Sequence, residues 1–259
     1  MIRIHHINCG TLLVPGYPTV VCHCLLLEHA GGLLLVDSGI GLADVRDPAG
    51  RLGQPLIDLA GFQFHEADTA VRRIEALGLN PHDVKQIVLT HADPDHAGGL
   101  ADFPAAEVHI SEEELSQVQA GHWRYVPRQF EHGPKWRPQG RSDRRWFGLE
   151  SRHLWGDGNA EVLLIPLPGH TSGHCGVAIG QADRWVLHVG DAYYLRAELD
   201  TPDHPVSALA AQRAENDEQR RSSLDELRRL VRDHADVIDL CGYHDITELP
   251  DPARVGSER

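Results

Sequence analysis

The sequence predicts an α/β protein built as an αββα four-layer sandwich. Short apolar runs of strand length recur in both halves of the chain, at Leu33–Val36, Ile87–Leu89, Val162–Ile165, Trp185–Val189 and Val237–Leu240. Stretches with helical spacing follow the strands in each half. Each of several strands also runs out into a small-residue loop that ends in a histidine or aspartate. Two sheet-plus-helices halves facing one another bury both sheets, put helices outside and bring the strand-end loops to one edge.

The elements read in order. Thr19 to Leu27 and Gly32 to Val36, parted by a turn at Ala30-Gly31, form a hairpin in the first sheet. Asp68 to Leu77 sets Val71, Ile74 and Leu77 at helical spacing, and Gly78 stops the helix. Val84 to Leu89 and Glu107 to Ile110 are strands, and Ser111 opens a helix whose first turn carries Glu112, Glu113 and Glu114. The second half repeats this with strands near Val162, Val177 and Val186. A long helical stretch within Ser207 to His234 then shows the core stripe Leu224, Leu227, Leu230 and Val231.

Between the halves, about 121–150 reads as an aromatic and basic insertion. Trp123, Tyr125, Phe130, Trp136, Trp146 and Phe147 alternate there with Arg124, Arg128, Lys135 and further arginines, and Pro and Gly interrupt regular patterns. Such a segment is expected to be a lid or binding loop, or a subunit contact that would make the protein a homodimer. The single-domain expectation covers 1–259, because the donor residues described next run from one half to the other.

The densest chemistry lies in Thr90-His91-Ala92-Asp93-Pro94-Asp95-His96-Ala97-Gly98-Gly99, directly after a strand. Imidazoles and carboxylates packed this closely suit zinc, iron or manganese, and a cation offsets their charge. A binuclear metal site is expected. Further donors follow the same device: His170 after Pro166-Leu167-Pro168-Gly169, Asp191 after Gly190, and His244 after Cys241-Gly242-Tyr243.

In order along nearly the whole chain, Asp37, the His91 to His96 run, His170, Asp191 and His244 resemble the metallo-β-lactamase fold hydrolases. The loops Gly169 to His174, Asp191 to Tyr194 and Gly242 to Asp245 look most like the N-acyl homoserine lactone lactonase branch. The resemblance implies one metal on His91, Asp93 and His170 and another on Asp95, His96 and His244, with Asp191 bridging. It implies Asp37 behind a ligand histidine, and His174 supporting its loop. Asp93 stands where the family pattern has histidine. Of the two divalent ions implied, zinc is expected, with the harder Asp93 oxygen moving preference toward iron or manganese.

The implied chemistry is hydrolysis of a carboxylic ester, a lactone foremost, by a metal-bridged hydroxide. Asp95 would orient that nucleophile and carry its proton, and Tyr194 would donate to the oxyanion. The alternatives are a glyoxalase II-like thioesterase, a diiron protein of oxygen chemistry and a non-catalytic metal-binding module. Hydrolysis of β-lactams ranks below all of these.

Composition bounds the partners. A formal charge of −14 excludes a general nucleic-acid binder, which needs clustered cations for phosphate. No apolar run approaches a membrane span and the start lacks a signal-peptide core, so a cytoplasmic protein with a small-molecule ester or lactone as partner is expected. Cys9, Cys22, Cys24, Cys175 and Cys241 show no disulfide spacing and are expected as buried thiols. The histidines outside the motifs, His23, His109 and His188 among them, are expected to be solvated or locally bonded.

Overall fold

The structure is a computed structural model that describes residues 2–250 apart from 143, 157 and 159, so the end of the 1–259 span lies outside the described residues. The first sheet is made of β1 (Arg3–Leu12), β2 (Val20–His29), β3 (Gly32–Val36), β4 (Phe62–Gln63), β5 (Val84–Val88), β6 (Glu107–Ser111) and β7 (Lys135–Gln139). Its strand order is β4-β1-β2-β3-β5-β6-β7, antiparallel from β4 through β3 and parallel from β3 through β7. The second sheet holds β8 (Arg144–Trp146), β9 (Leu149–Gly156), β10 (Ala160–Pro166), β11 (Cys175–Gln181), β12 (Arg184–His188) and β13 (Ile238–Cys241). It runs β13-β12-β11-β10-β9-β8, with β12 and β13 parallel and the other neighbours antiparallel.

Period-two alternation assigns each strand's side chains to two cores. Leu25, Leu27, Leu34, Val36 and Val88 meet Val162, Leu164, Val177 and Ile179 between the sheets. The opposite face of the first sheet, with Cys22, Cys24, Leu26, Leu35 and Ile87, packs on Ile74, Leu100 and Leu115. On the far side of the second sheet, Leu163, Ile165 and Leu187 pack on Leu224, Leu227 and Leu230. Three apolar seams between four layers make the α/β sandwich that the sequence predicts.

Ser111 caps the helix Glu112–Gln119 as expected, its side chain accepting from Glu114 N. The expected helix within Ser207 to His234 is broken instead into Val206–Arg213 and Asp217–His234. The break has a physical reason. Glu215 N donates to His170 O and Asn216 N to Gly169 O, each at 3.0 Å, so the interruption clamps a donor loop. Asn216 then caps the second helix by accepting from Gln219 N.

The expectation of an irregular 121–150 segment needs correction as well. Lys135–Gln139 extends the first sheet in parallel register with β6, and Arg144–Trp146 opens the second. Backbone hydrogen bonding across these edges overrides the Pro and Gly signals. Trp146 and Tyr125 are buried, whereas Trp123 is 77% exposed. All five cysteines are buried free thiols. His23, His109 and His188 are buried too rather than solvated: His188 Nε2 donates to His23 O at 2.7 Å, and His23 Nε2 is hydrogen-bonded to His6 Nδ1 at 2.8 Å.

Candidate metal centre

The donors sit just past the C-terminal ends of strands from both sheets. After β5, Asp93 precedes a short helix, Pro94–Ala97, that starts with proline and carries Asp95 and His96. After β10, Gly169 takes φ 132, and a side chain there would run into the backbone of Arg220. His170 is thereby turned inward. After β12, Gly190 at φ 53 lets the chain pass His174 and Thr90 and deliver Asp191. After β13, Gly242-Tyr243 leads to His244.

Asp191 is the centre of the constellation. Its Oδ1 lies 3.3 Å from His96 Nε2, and its Oδ2 lies 3.2 Å from His244 Nε2, 3.4 Å from His170 Nε2 and 3.9 Å from His91 Nε2. Asp95 Oδ2 is 3.5 Å from His244 Nε2 and 3.9 Å from His96 Nε2. Donors about 2.0–2.2 Å from one tetrahedral ion stand about 3.3–3.6 Å apart, so these separations are those of ligands around a cation. The donors fall into two groups, His91, His170 and Asp191, and Asp95, His96 and His244.

Partners behind the rings fix which nitrogen faces inward. Asp37 accepts from His96 Nδ1 at 2.9 Å, from Thr90 N at 2.8 Å and from Thr90 Oγ1 at 2.8 Å. Thr90 Oγ1 in turn accepts from His91 Nδ1 at 3.1 Å, and Val21 O from His244 Nδ1 at 3.0 Å. With Nδ1 committed behind it, the Nε2 of each ring is left facing Asp191. His91 Nε2, His96 Nε2 and Asp191 Oδ1 are buried without a hydrogen-bond partner among the described residues. Buried acceptors are not left unpaired without cost, and three facing one another fit a divalent cation. His174 acts through the backbone: its Nδ1 donates to Leu167 O at 2.8 Å and its Nε2 accepts from Asp191 N at 3.0 Å.

Electrostatics separates the two groups. Burial alone would raise the Asp191 carboxyl, yet the facing imidazoles, His244 first, hold it well below the usual carboxylate range. Burial opposes charge on His96, but Asp191, Asp37 and Asp95 push its imidazole well above its usual value, and Asp191 raises His244 against burial in the same way. His91 is driven well down by burial and by His96, and His170 by burial and Arg124. Positive charge is drawn to the His96 side. On the other side a cation is already present.

That cation is Arg124, which sequence reasoning missed. Its Nε donates to Asp93 Oδ1 at 2.5 Å and its Nη2 to Asp93 Oδ2 at 2.7 Å. Against burial, this guanidinium holds Asp93 well below the usual carboxylate range. Asp93 lies 3.2 Å from His170 Nε2 and 3.5 Å from His91 Nε2, among the expected ligands, but both of its oxygens are taken by the arginine. Besides standing among the expected ligands, it is one half of a buried ion pair. The other residues missed are Glu114 and Tyr243. Glu114 accepts from Ala92 N at 2.8 Å, Tyr125 OH at 2.8 Å and Thr171 Oγ1 at 2.6 Å. Tyr243 stacks on His96 with ring centroids 3.7 Å apart and donates to Asp95 O at 2.6 Å.

A pocket opens onto the centre. Asp93, Asp95, Asp191, His244 and Tyr194 form its floor, and Leu12, Val14, Val20, Leu56, Phe62 and Leu209 are among its walls. Among the described residues, none from 121–150 lines it. Tyr194 is half-buried, its ring centroid 5.4 Å from that of His244 and 6.0 Å from that of His170. Burial and the Asp191 carboxylate push its phenol well above its usual value.

A fold of two sheets with a His and Asp centre at the strand ends defines a class of metal-dependent hydrolases, and the sequence profile described as "Metallo-beta-lactamase superfamily" matches residues 17–241. The chain belongs to this superfamily. A "probable metallo-hydrolase", Rv2300c, of Mycobacterium tuberculosis is 41% identical over 211 residues, which make up 77% of this chain and 65% of the relative, so the chain spans about two thirds of that relative's length. The N-acyl homoserine lactonase AttM of Rhizobium radiobacter is 28% identical over 154 residues, 58% of this chain and 56% of AttM. Among solved structures, a B. thuringiensis AiiA mutant with N-decanoyl-L-homoserine bound at its active site superposes with a TM-score of 0.71 at 21% identity, over 99% of this chain and 96% of that one. At that identity the likeness is one of fold. No helix among the described residues is long and apolar enough to cross a membrane.

Proposed function

We propose that the protein is a metal-dependent hydrolase that opens a carboxylic ester, a lactone ring foremost. The observation that carries this reading is the pocket. An apolar wall suited to an acyl chain ends on a floor of carboxylates, one imidazole and one phenol, where a polar carbonyl group would arrive. The lactonase name of the AttM relative agrees with it. Zinc, iron or manganese fits the donor set. A divalent cation there supplies an activated water and a polarised carbonyl.

The chain's own groups do the rest. Asp95, which reaches the pocket and lies 3.5 Å from His244, is placed to orient the attacking water and take its proton. Tyr194 keeps its proton at neutral pH, so its phenol donates a hydrogen bond to the oxygen on which negative charge develops. Elemental analysis of the purified protein, joined to an assay of N-acyl homoserine lactones, aryl esters and lactoylglutathione with zinc, manganese and iron, tests the proposal. Metal-dependent turnover of lactones is expected. Activity confined to the thioester would overturn the lactone assignment, and none with any metal would overturn the hydrolase.

A further inference from the structure

The chain's departure at position 93 has its counterpart at Arg124. This arginine is 6% exposed, and it commits its N–H groups to four acceptor atoms on three residues. Its fork grips both oxygens of Asp93, its Nη1 donates to Arg213 O at 2.5 Å, and its Nη2 also donates to His170 Nε2 at 2.5 Å. A planar guanidinium on a carboxylate is the strongest form of such a pair.

The consequence appears when uncommitted donors are counted. On one side Asp95, His96 and His244 are joined by Asp191, and among the described residues no lysine or arginine is paired with their inward atoms. On the other, both Asp93 oxygens and His170 Nε2 accept from Arg124, which leaves His91 Nε2 and a share of Asp191. One imidazole and a shared carboxylate fall short of the three protein ligands that an open site keeps. A divalent ion there would also stand against a buried guanidinium of the same sign.

We propose that Arg124 is a built-in cation closing the His91 and His170 half of the centre, so that the protein holds one tightly bound divalent ion, on Asp95, His96, His244 and Asp191. Asp93 is then the counter-ion of Arg124, and the histidine-to-aspartate change and the arginine act as one unit. The inference rests on the reading of the site as a metal centre and needs no particular substrate.

Metal stoichiometry tests it. Protein stripped with a chelator is titrated with Zn2+ or Co2+ by calorimetry, then dialysed against metal-free buffer and its metal counted per chain. The wild type is expected to keep one ion, with any second bound about a hundredfold more weakly, and Arg124→Gln is expected to keep two, because Asp93 and His170 are released to the second position. Two ions retained by the wild type, with affinities within about tenfold of each other, would overturn the proposal. The wild-type titration decides even where the variant fails to fold. No bound ion at all would overturn this inference and the hydrolase together, whereas two equal ions overturn this inference alone.

Discussion

Replacing Glu114 with alanine removes the acceptor that ties two donor loops to the helix Glu112–Gln119. Three groups lose their partner: Ala92 N beside His91, Thr171 Oγ1 beside His170, and Tyr125 OH. Each buried donor left unpaired costs about 1–3 kcal/mol. Against this, burial pushes the Glu114 carboxyl up to about 7, so its ionised form costs the native state about 3 kcal/mol at pH 8, and the substitution relieves that. Together the three donors cost about 3–9 kcal/mol. At pH 5 only about 1 kcal/mol is relieved, so with part of the cost recovered by relaxation and water the net loss there is about 2–5 kcal/mol, and at pH 8 it is smaller. For a chain of this size the loss at pH 5 lowers Tm by roughly 5–15 °C. The sign of the pH effect also follows. A carboxyl whose folded value lies above its unfolded one stabilises the protein less as pH rises from about 4.5 to about 7, so the gap between wild type and variant is wider at pH 5 than at pH 8. Calorimetric melts of both proteins at equal metal concentration read this. A Tm within about 2 °C of wild type at both pH values, with unchanged metal content, would refute the role given to Glu114.

Three further outcomes are expected. Asp37→Ala leaves His96 Nδ1 and both Thr90 donors unpaired, and metal affinity read by competition with a chromophoric chelator should fall about 10–100-fold; unchanged affinity would count against the orienting role. Tyr194→Phe should retain full metal and lose about 100–1000-fold in kcat on lactones, and wild-type kcat would remove the phenol from the mechanism. Burial lifts the Asp102 carboxyl to about 6 while it accepts from Leu42 N, so its stabilising contribution declines as pH rises from about 4 to about 6 and is flat above; Asp102→Asn should abolish that decline in denaturant melts.

The strands and the inward-facing donors were legible because both are written locally. Leu33–Val36 and Val162–Ile165 read as strands from composition alone, and a glycine or proline after a strand marks a turn wherever it sits. His91, His96, His170, Asp191 and His244 came from those turns. Arg124 was hidden because its partner lies 31 residues away and its segment resembles a surface loop rich in arginine. Glu114 was hidden by a bland alternative, since an acidic residue in a first helical turn is ordinary. The break at Ala214 to Asn216 has no local signal either: it exists because Gly169 and His170 need donors for their carbonyls. What failed was whatever depends on a distant acceptor.

The pocket walls and the donors come from different parts of the chain. Leu12, Val14 and Val20 belong to the first hairpin, Leu56 to the helix Gln54–Ala60 and Leu209 to the helix Val206–Arg213, whereas every donor hangs from the end of β5, β10, β12 or β13. Substitutions that reshape the cleft for longer, shorter or branched guests can accumulate on the former without disturbing the latter. Descendants of one ancestral scaffold could in this way diverge in diet while keeping the same machinery.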